Sequence, residues 1–234
     1  MSLHSRILRM MLRAVSPRAR AARMKQFEQM MQIKPGLRVI DLGGSTKIWK
    51  FVETPLNITV VNLESQRIDE FTYGAHRFTI ARGDATDLRE FADDSFDLVF
   101  SNSCIEHVGD GDKQAAFAQE VRRLAPSYFI QTPSIHFPVE AHTGLPFWWY
   151  YPQAWRQAFI RRWRRRRPAY GEFIAGTRVL TRERLETIFP DADLHSERVL
   201  GMVKSYIACR VSPARKKPAP TALTAKNSRS PSLV

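Results

Sequence analysis

The sequence predicts an α/β fold in which helices flank a doubly wound sheet. Three observations predict it: a strand that runs into a glycine turn, further apolar strands that each end on a polar residue, and segments with apolar residues at helical spacing. The first observation is residues 38–51, RVIDLGGSTKIWKF. Gly43 and Gly44 permit a tight turn and keep side chains away from an approaching ligand, which is typical of a strand, a turn and the start of a helix.

Hydrophobic periodicity predicts the other elements in order along the chain. Strands are predicted over residues 58–64, 78–80, 96–102 and 127–131, and a closing antiparallel hairpin over 194–200 and 203–211. Helices are predicted over 24–33, 113–124 and about 153–167, and a short helix follows Thr181 as its N-cap.

The predicted domain organisation has one folded domain with segments on either side. Residues 1–33 form a basic helical segment, residues 34–211 form the α/β domain, and residues 212–234 form a disordered tail rich in Pro, Ser, Ala and Lys. Residues 132–180 are predicted to be an insertion on the substrate side of the domain. No run of apolar residues reaches the about 18 that a membrane-spanning helix needs.

Four polar residues stand at four successive strand ends: Asp41, Glu64, Asp84 and Asn102. Each has a structural alternative, as a cap, a solvated loop acid or the first residue of an Asx turn. Because the carboxyl ends of parallel strands form the ligand-binding edge of such a sheet, their recurrence favours a shared binding site. Glu64 also follows the glycine turn by about 20 residues, the spacing expected of an acid that binds ribose hydroxyls.

These segments resemble the class I S-adenosylmethionine-dependent methyltransferases, over roughly residues 35–211. The motifs that carry the resemblance are VIDLGG (39–44), VVNLE (60–64), GDATDL (83–88) and FDLVFSNSCIEHV (96–108). The resemblance implies a Rossmann-like seven-stranded sheet with a C-terminal antiparallel β-hairpin. Residues 132–152, with a Thr-Pro pair, His and Glu residues and many aromatics, are similar to a subgroup associated with glycan or natural-product pathways.

The resemblance implies S-adenosyl-L-methionine as the cofactor and a role for each motif residue. The residues implied to contact the methionine part are Gly43, Gly44, Asp41, Ser101 and Asn102. Those implied to contact the nucleoside are Glu64 at the ribose hydroxyls, Asp84 at the adenine amino group and the Ala85 backbone at the ring. The chain departs from the family at Ser45, where a glycine is usual, and at Lys47, whose side chain is expected to point outward.

The implied reaction is methyl transfer to a small-molecule, glycan or lipid-linked acceptor. A general base is needed only if the nucleophile is a hydroxyl or a similar acid. The candidates are His107, His136 and His142, with Glu140 as a partner, although Glu106 and His107 have the alternative of ordering a loop. The two cysteines fit neither a metal site nor a disulfide, so no metal is expected and a cytoplasmic location is predicted.

Positive charge is the unusual feature of the composition. The chain has 36 Lys and Arg against 23 Asp and Glu, a net charge of +13, concentrated near the N-terminus, in residues 161–167 and in the tail. Such an excess predicts contact with a polyanion or an acidic membrane surface. Residues 1–24 could be an amphipathic membrane-surface helix, an Arg-rich transit peptide or a helix packed on the domain.

Two other functions are compatible with these patterns. An RNA-directed methyltransferase would use the arginines, but the fourth strand lacks the Asn/Asp-Pro-Pro-aromatic signature of enzymes that methylate base amines. A non-catalytic protein that keeps the fold and binds the cofactor would account for the changes at Ser45 and Lys47.

Overall fold

The architecture is a single seven-stranded sheet with helices on both faces. The computed structural model describes residues 20–65 and 73–212. The strand order is β3-β2-β1-β4-β5-β7-β6. The strands are β1 (Arg38–Leu42), β2 (Asn57–Asn62), β3 (Arg77–Arg82), β4 (Leu98–Asn102), β5 (Tyr128–Pro133), β6 (Asp193–Val199) and β7 (Met202–Arg210). Strands β1 to β5 pair in parallel, and β7 inserts antiparallel between β5 and β6, which confirms the predicted fold class.

Five α-helices lie in the described part of the chain. They are α1 (residues 20–30), α2 (Gly111–Leu124), α3 (Gln153–Arg166), α4 (Pro168–Gly176) and α5 (Arg182–Ile188). Side-chain N-caps explain where α2 and α5 begin, and the cap of α5 is the one that the sequence predicts. The Asp110 carboxylate accepts a hydrogen bond from the Lys113 amide, and the Thr181 hydroxyl accepts one from the Arg184 amide. Residues 46–51, after the glycine turn, form a short 3-10 helix instead of an α-helix.

The sheet buries two apolar layers, one on each face. On one face Phe117 and Val121 of α2 and Leu185 of α5 pack on the inward side chains of β1, β4 and β5. On the other face Phe27 of α1 and Trp49 of the 3-10 helix pack with residues such as Phe100 and Phe129. The parallel strands are therefore covered on both sides, as strands with near-continuous apolar sequences require.

The segment between β5 and α5 has a small apolar core of its own. Trp148, Ile160 and Ile174 are buried together there, and α3 packs against α4. This arrangement supports the predicted insertion over 132–180, which with the other domain boundaries stays a prediction. The predictions for residues 1–19 and 213–234 lie outside the described residues. No helix in the described ranges is long and apolar enough to cross a membrane.

A buried arginine joins α1 to the far edge of the sheet. The Arg23 side chain is only 7% exposed, and its Nε and Nη2 atoms donate to the Glu197 carboxylate on β6 at 2.7 and 2.6 Å. Its Nη1 atom donates to the Asn102 side-chain oxygen at 2.6 Å. One guanidinium thus connects the N-terminal helix, the end of β4 and the terminal hairpin.

Replacing Arg23 is expected to destabilise the fold strongly. Arg23→Ala leaves the Glu197 carboxylate without its counter-charge, and breaking a buried pair from one side costs about 3 kcal/mol or more. Urea unfolding followed by circular dichroism measures the loss. Arg20→Ala removes an exposed arginine from the same helix and serves as the control. Equal stabilities of the two variants would contradict the structural role of Arg23.

Candidate functional site

The glycine turn is fixed by hydrogen bonds to β2. The Gly43 amide donates to the Val61 carbonyl at 2.8 Å, and the Asn62 side-chain amide donates to the Gly44 carbonyl at 2.7 Å. Gly43 has φ +70°, a conformation that favours glycine. A Cβ atom at Gly44 would lie 1.9 to 2.1 Å from the Asp41 carboxyl group, and one at Gly43 would lie 2.4 Å from the Cys104 sulfur. The glycines therefore make room for the chain's own side chains, in addition to the ligand contact predicted from sequence.

Asp41 lies fully buried beneath this turn. Its Oδ2 atom accepts a hydrogen bond from the Trp49 indole at 2.9 Å, and its Oδ1 atom has no partner among the described residues. Burial raises the pKa of Asp41 to about 7, although the hydrogen bond from Trp49 opposes the shift. A buried carboxylate oxygen without a donor is costly, so this position suits a nearby cationic group.

Glu64 and Asp84 line one groove of about 440 Å³ beyond the ends of β2 and β3. Glu64 is exposed. The Asp84 Oδ1 atom accepts hydrogen bonds from the amide and hydroxyl of Thr86 at 2.9 and 2.8 Å, which makes an Asx turn. The Asp84 Oδ2 atom lies 3.7 Å from the Lys113 ammonium group. Burial opposes ionisation of Asp84, but the Thr86 hydrogen bonds and the Lys113 charge lower its pKa, so it is a carboxylate. The adjacent Ala85 is half-buried.

Ser101 and Asn102, at the end of β4, make structural contacts. The Ser101 hydroxyl is buried and donates to the Leu42 carbonyl at 2.9 Å, which ties β4 to β1. The Asn102 side-chain oxygen accepts from Arg23. Their cofactor contacts stay predictions. Sequence reasoning missed Arg23, although its position four residues before the core residue Phe27 places it on the buried stripe of α1.

A cluster of four ionisable side chains lies beyond the ends of β4 and β5. The His107 and His142 Nε2 atoms are 3.0 Å apart, and the Glu106 Oε1 atom lies 3.9 and 3.8 Å from them. The His142 Nδ1 atom is 2.7 Å from the Glu140 carboxylate. Glu106 is completely buried, and its Oε2 atom accepts from the Thr132 hydroxyl at 2.9 Å. Three of the four predicted catalytic residues thus share one cluster.

Burial and neighbouring charges shift the pKa values within this cluster. Burial, together with His142, lowers the pKa of His107 to about 4. Burial raises the pKa of Glu106 to about 7. Burial acts against a charged His142 and a charged Glu140, but their mutual hydrogen bond prevails, raising the pKa of His142 and lowering that of Glu140. These are environments typical of functional carboxylates and imidazoles.

The fourth predicted catalytic residue, His136, lies apart from the cluster. It is exposed, and its Nδ1 atom is 3.0 Å from the Tyr150 hydroxyl. Two residues that sequence reasoning did not single out border the cluster instead. The Thr177 hydroxyl lies 3.5 Å from the His107 Nδ1 atom, and the Phe173 ring stacks on the His107 ring at 4.5 Å. Both come from α4 and its end, about seventy residues away in sequence, so no local pattern indicates them.

Comparisons with known proteins agree with this architecture. Residues 42–127 match a family model described as a methyltransferase domain. Over 113 residues the chain is 30% identical to the cyclopropane-fatty-acyl-phospholipid synthase of Escherichia coli, covering 46% of this chain and 28% of that protein. The chain thus spans less than a third of this relative.

Residues 42–127 are thus part of a methyltransferase domain of the class I, S-adenosylmethionine-dependent type.

Solved structures are similar to this chain at low sequence identity. A possible exported protein from Bordetella parapertussis superposes with a TM-score of 0.54 at 14% identity, over 84% of this chain and 68% of that one. A Haemonchus contortus phosphoethanolamine N-methyltransferase 2 in complex with S-adenosyl-L-methionine gives a TM-score of 0.47 at 18% identity, over 73% of this chain and 37% of that one.

The residues of the methyltransferase domain fit its cofactor, S-adenosylmethionine. The unpartnered Asp41 oxygen beneath the turn suits a cationic ligand, and the groove with Glu64 offers a carboxylate to a pair of hydroxyls. Gly43 is exposed, so its backbone is open to a ligand. Lys47 is also exposed, as expected for a cation that must stay clear of a sulfonium.

The raised pKa of Asp41 predicts a pH-dependent stability. The folded state holds the proton up to about pH 7, whereas the unfolded chain releases it near 4, so stability falls as pH rises between these values. The loss is at most about 1.4 kcal/mol per pH unit. Asp41→Asn removes this titration, and urea unfolding of both proteins at pH 5 and pH 7 measures the difference. An unchanged gap between the two proteins would contradict a raised pKa.

Proposed function

We propose that this methyltransferase acts on a lipid-linked acceptor with an anionic group, at the surface of a membrane. The proposal rests chiefly on one observation: exposed aromatic and arginine side chains on and just before α3 adjoin a pocket of about 700 Å³. S-adenosylmethionine, when bound, supplies an electrophilic methyl group. The rest of the proposal concerns how this chain's residues hold the two substrates.

On the cofactor side, the proposed contacts follow the strand ends. Glu64 would hold the ribose hydroxyls, and Asp84 with the Ala85 backbone would hold the adenine. Asp41 and the glycine turn would hold the methionine part, with Asp41 as the carboxylate beside its ammonium group. Because methyl transfer from a sulfonium is an in-line displacement, alignment and exclusion of water account for much of such a catalyst's effect.

On the acceptor side, the pocket has a volume of about 700 Å³ between α2, α3 and the start of α5. Aromatic and aliphatic side chains line it together with three arginines: Trp148, Trp149, Ile174, Arg156, Arg178 and Arg184. A volume of this size takes a small-molecule headgroup or part of a lipid. Thr177, which contacts His107, also lines the pocket and so joins it to the ionisable cluster.

The environment of Arg156 is evidence that the acceptor is anionic. Its Nε atom is buried and has no hydrogen-bond partner among the described residues. Its guanidinium carbon lies 5.8 Å from the centre of the Trp149 ring, which holds it over an aromatic face. A buried donor without a partner costs free energy, and a phosphate or carboxylate oxygen would satisfy it.

A second surface supports the proposed contact with a membrane, and we call it the α3 surface. We use this name for Tyr150, Trp155, Phe159, Arg162 and Arg166. The side chains of Tyr150, Trp155 and Phe159 are 63%, 62% and 36% exposed. The four residues other than Tyr150 lie on α3 and recur at the four- and three-residue spacing of one helix face. Exposed aromatic rings beside arginines suit the headgroup region of a bilayer that contains anionic lipids.

The first expectation is binding to anionic vesicles. The double variant Trp155→Ser/Phe159→Ser lacks two rings that would enter the headgroup region. Its partition into phosphatidylglycerol-containing vesicles should therefore be at least about tenfold weaker than that of wild type. Cosedimentation measures this. The matched control is Leu200→Ser/Met202→Ser, which removes two exposed apolar side chains from the β6–β7 turn and the first position of β7 and should bind like wild type.

Methyl transfer decides the acceptor class. With methyl-labelled S-adenosylmethionine and vesicles of a total bacterial lipid extract, label should enter the lipid fraction, and Arg156→Ala should reduce its rate. Label confined to a polar metabolite fraction would favour a small-molecule or glycan acceptor, and label in added RNA would favour an RNA acceptor. Either result, or equal vesicle binding by both double variants, would contradict the proposal.

A further inference from the structure

Three side chains direct ligand atoms at a single point in this structure. The Nε2 atoms of His107 and His142 and the Oε1 atom of Glu106 lie 3.0, 3.8 and 3.9 Å from one another. The donors come from a short 3-10 helix after β4 and from the segment after β5, so the fold brings them together. What occupies the point between them depends on where the protons are.

The proton of neutral His142 is fixed by Glu140. The His142 Nδ1 atom is 2.7 Å from a side-chain oxygen of Glu140, which accepts a hydrogen bond from it. Nδ1 therefore carries the hydrogen, and Nε2 presents a lone pair to the cluster. Glu140 is itself held by the amides of His142 and Thr143, so the orientation of the ring is set by backbone as well as side-chain contacts.

The contact with Thr177 favours the tautomer of neutral His107 that carries its proton on Nδ1. The Thr177 hydroxyl donates its only hydrogen to the Phe173 carbonyl at 2.9 Å, so it can only accept from the His107 Nδ1 atom 3.5 Å away. The His107 Nε2 atom then also presents a lone pair. The Glu106 Oε1 atom, fully buried, has no hydrogen-bond partner among the described residues. In these tautomers, and with Glu106 ionised, three electron pairs converge.

We propose that Glu106, His107 and His142 bind a divalent transition-metal ion, with Zn²⁺ as the representative. Bonds of about 2.1 Å to nitrogen and oxygen ligands place neighbouring ligand atoms about 3.0 to 3.4 Å apart, so the two longer spacings need to contract by about 0.4 to 0.9 Å. Two imidazoles and one carboxylate suit Zn²⁺ and its neighbours, whereas Mg²⁺ and Ca²⁺ prefer oxygen ligands. The sequence-based expectation of no metal considered only cysteine spacing.

The contacts around the three ligands fit the same assignment. Metal-binding histidines commonly donate their second N–H to a carboxylate or another acceptor, as His142 does to Glu140 and His107 does to Thr177. Three protein ligands leave at least one coordination position open. An acceptor oxygen or nitrogen would fill such a position. Metal binding itself does not depend on which acceptor is used.

Metal titration of the full chain tests the proposal without reference to activity. Protein stripped with EDTA and dialysed is titrated with Zn²⁺ in a calorimeter and with Co²⁺ in a spectrophotometer, where visible absorption reports coordination. In each titration wild type is expected to bind one metal ion per chain. Glu106→Gln keeps the shape of the ligand but removes its charge, and His142→Ala removes a ligand, so both should lose the Co²⁺ absorption. Glu140→Gln should bind about 10-fold or more weakly.

His136→Ala is the matched control. It removes a histidine from the same segment that lies outside the cluster, and it should bind metal like wild type. Thermal unfolding identifies any variant that does not fold, and if His142→Ala fails, Glu106→Gln decides. A wild type that takes up neither Zn²⁺ nor Co²⁺, or a Glu106→Gln that binds as tightly as wild type, would overturn the proposal. In that case the two imidazoles share a proton only.

Discussion

The parallel register of the central strands is the constraint on which the rest of the structure depends. Asp41 of β1 pairs with Val60 of β2 on one side and with Phe100 of β4 on the other, and Asn102 pairs with Gln131 of β5. Because the side-chain period of a strand is two, a slip of one residue would exchange buried and exposed side chains along the whole strand. In the observed register the glycine turn, the Glu64 groove and the His107 cluster all emerge at one edge of the sheet.

Buried carboxyl groups give that edge its chemical character. Asp41 and Glu106 are both fully buried, both have an oxygen without a partner, and burial raises the pKa of each to about 7. Such groups are unfavourable for stability unless a cation joins them. The two positions differ in what they suit: Asp41 lies beneath the glycine turn of the cofactor motif, whereas Glu106 faces two imidazole nitrogens. The edge is thus arranged to receive positive charge although the chain as a whole is strongly basic, with its excess charge on outlying segments such as α3.

The sequence predicts this fold well because its signals are local. Alternation and apolar runs define the strands, and the hydroxyl of Thr181 starts a helix where an N-cap is expected. Less local features were not predictable. Arg23 finds its partner on β6, and the clash that makes Gly44 necessary involves the folded-back Asp41 side chain. The cluster of ionisable side chains brings His107 next to His142 and Thr177, which lie on other segments, and no rule of sequence spacing connects these residues. The Asx turn at Asp84 was foreseen as an alternative, and the structure shows it together with the groove.

The most direct test of the central claim is calorimetric titration of S-adenosylmethionine into wild type and Glu64→Ala, at low and physiological salt. Glu64 is exposed, so its removal leaves the fold intact while deleting the carboxylate proposed to hold the ribose. Wild type should bind at both salt concentrations, and Glu64→Ala should bind about tenfold more weakly or worse, the loss expected for hydrogen bonds to a charged group. Folded wild type that does not bind S-adenosylmethionine would contradict the account at its root. Equal binding by both proteins would show that the ribose lies elsewhere.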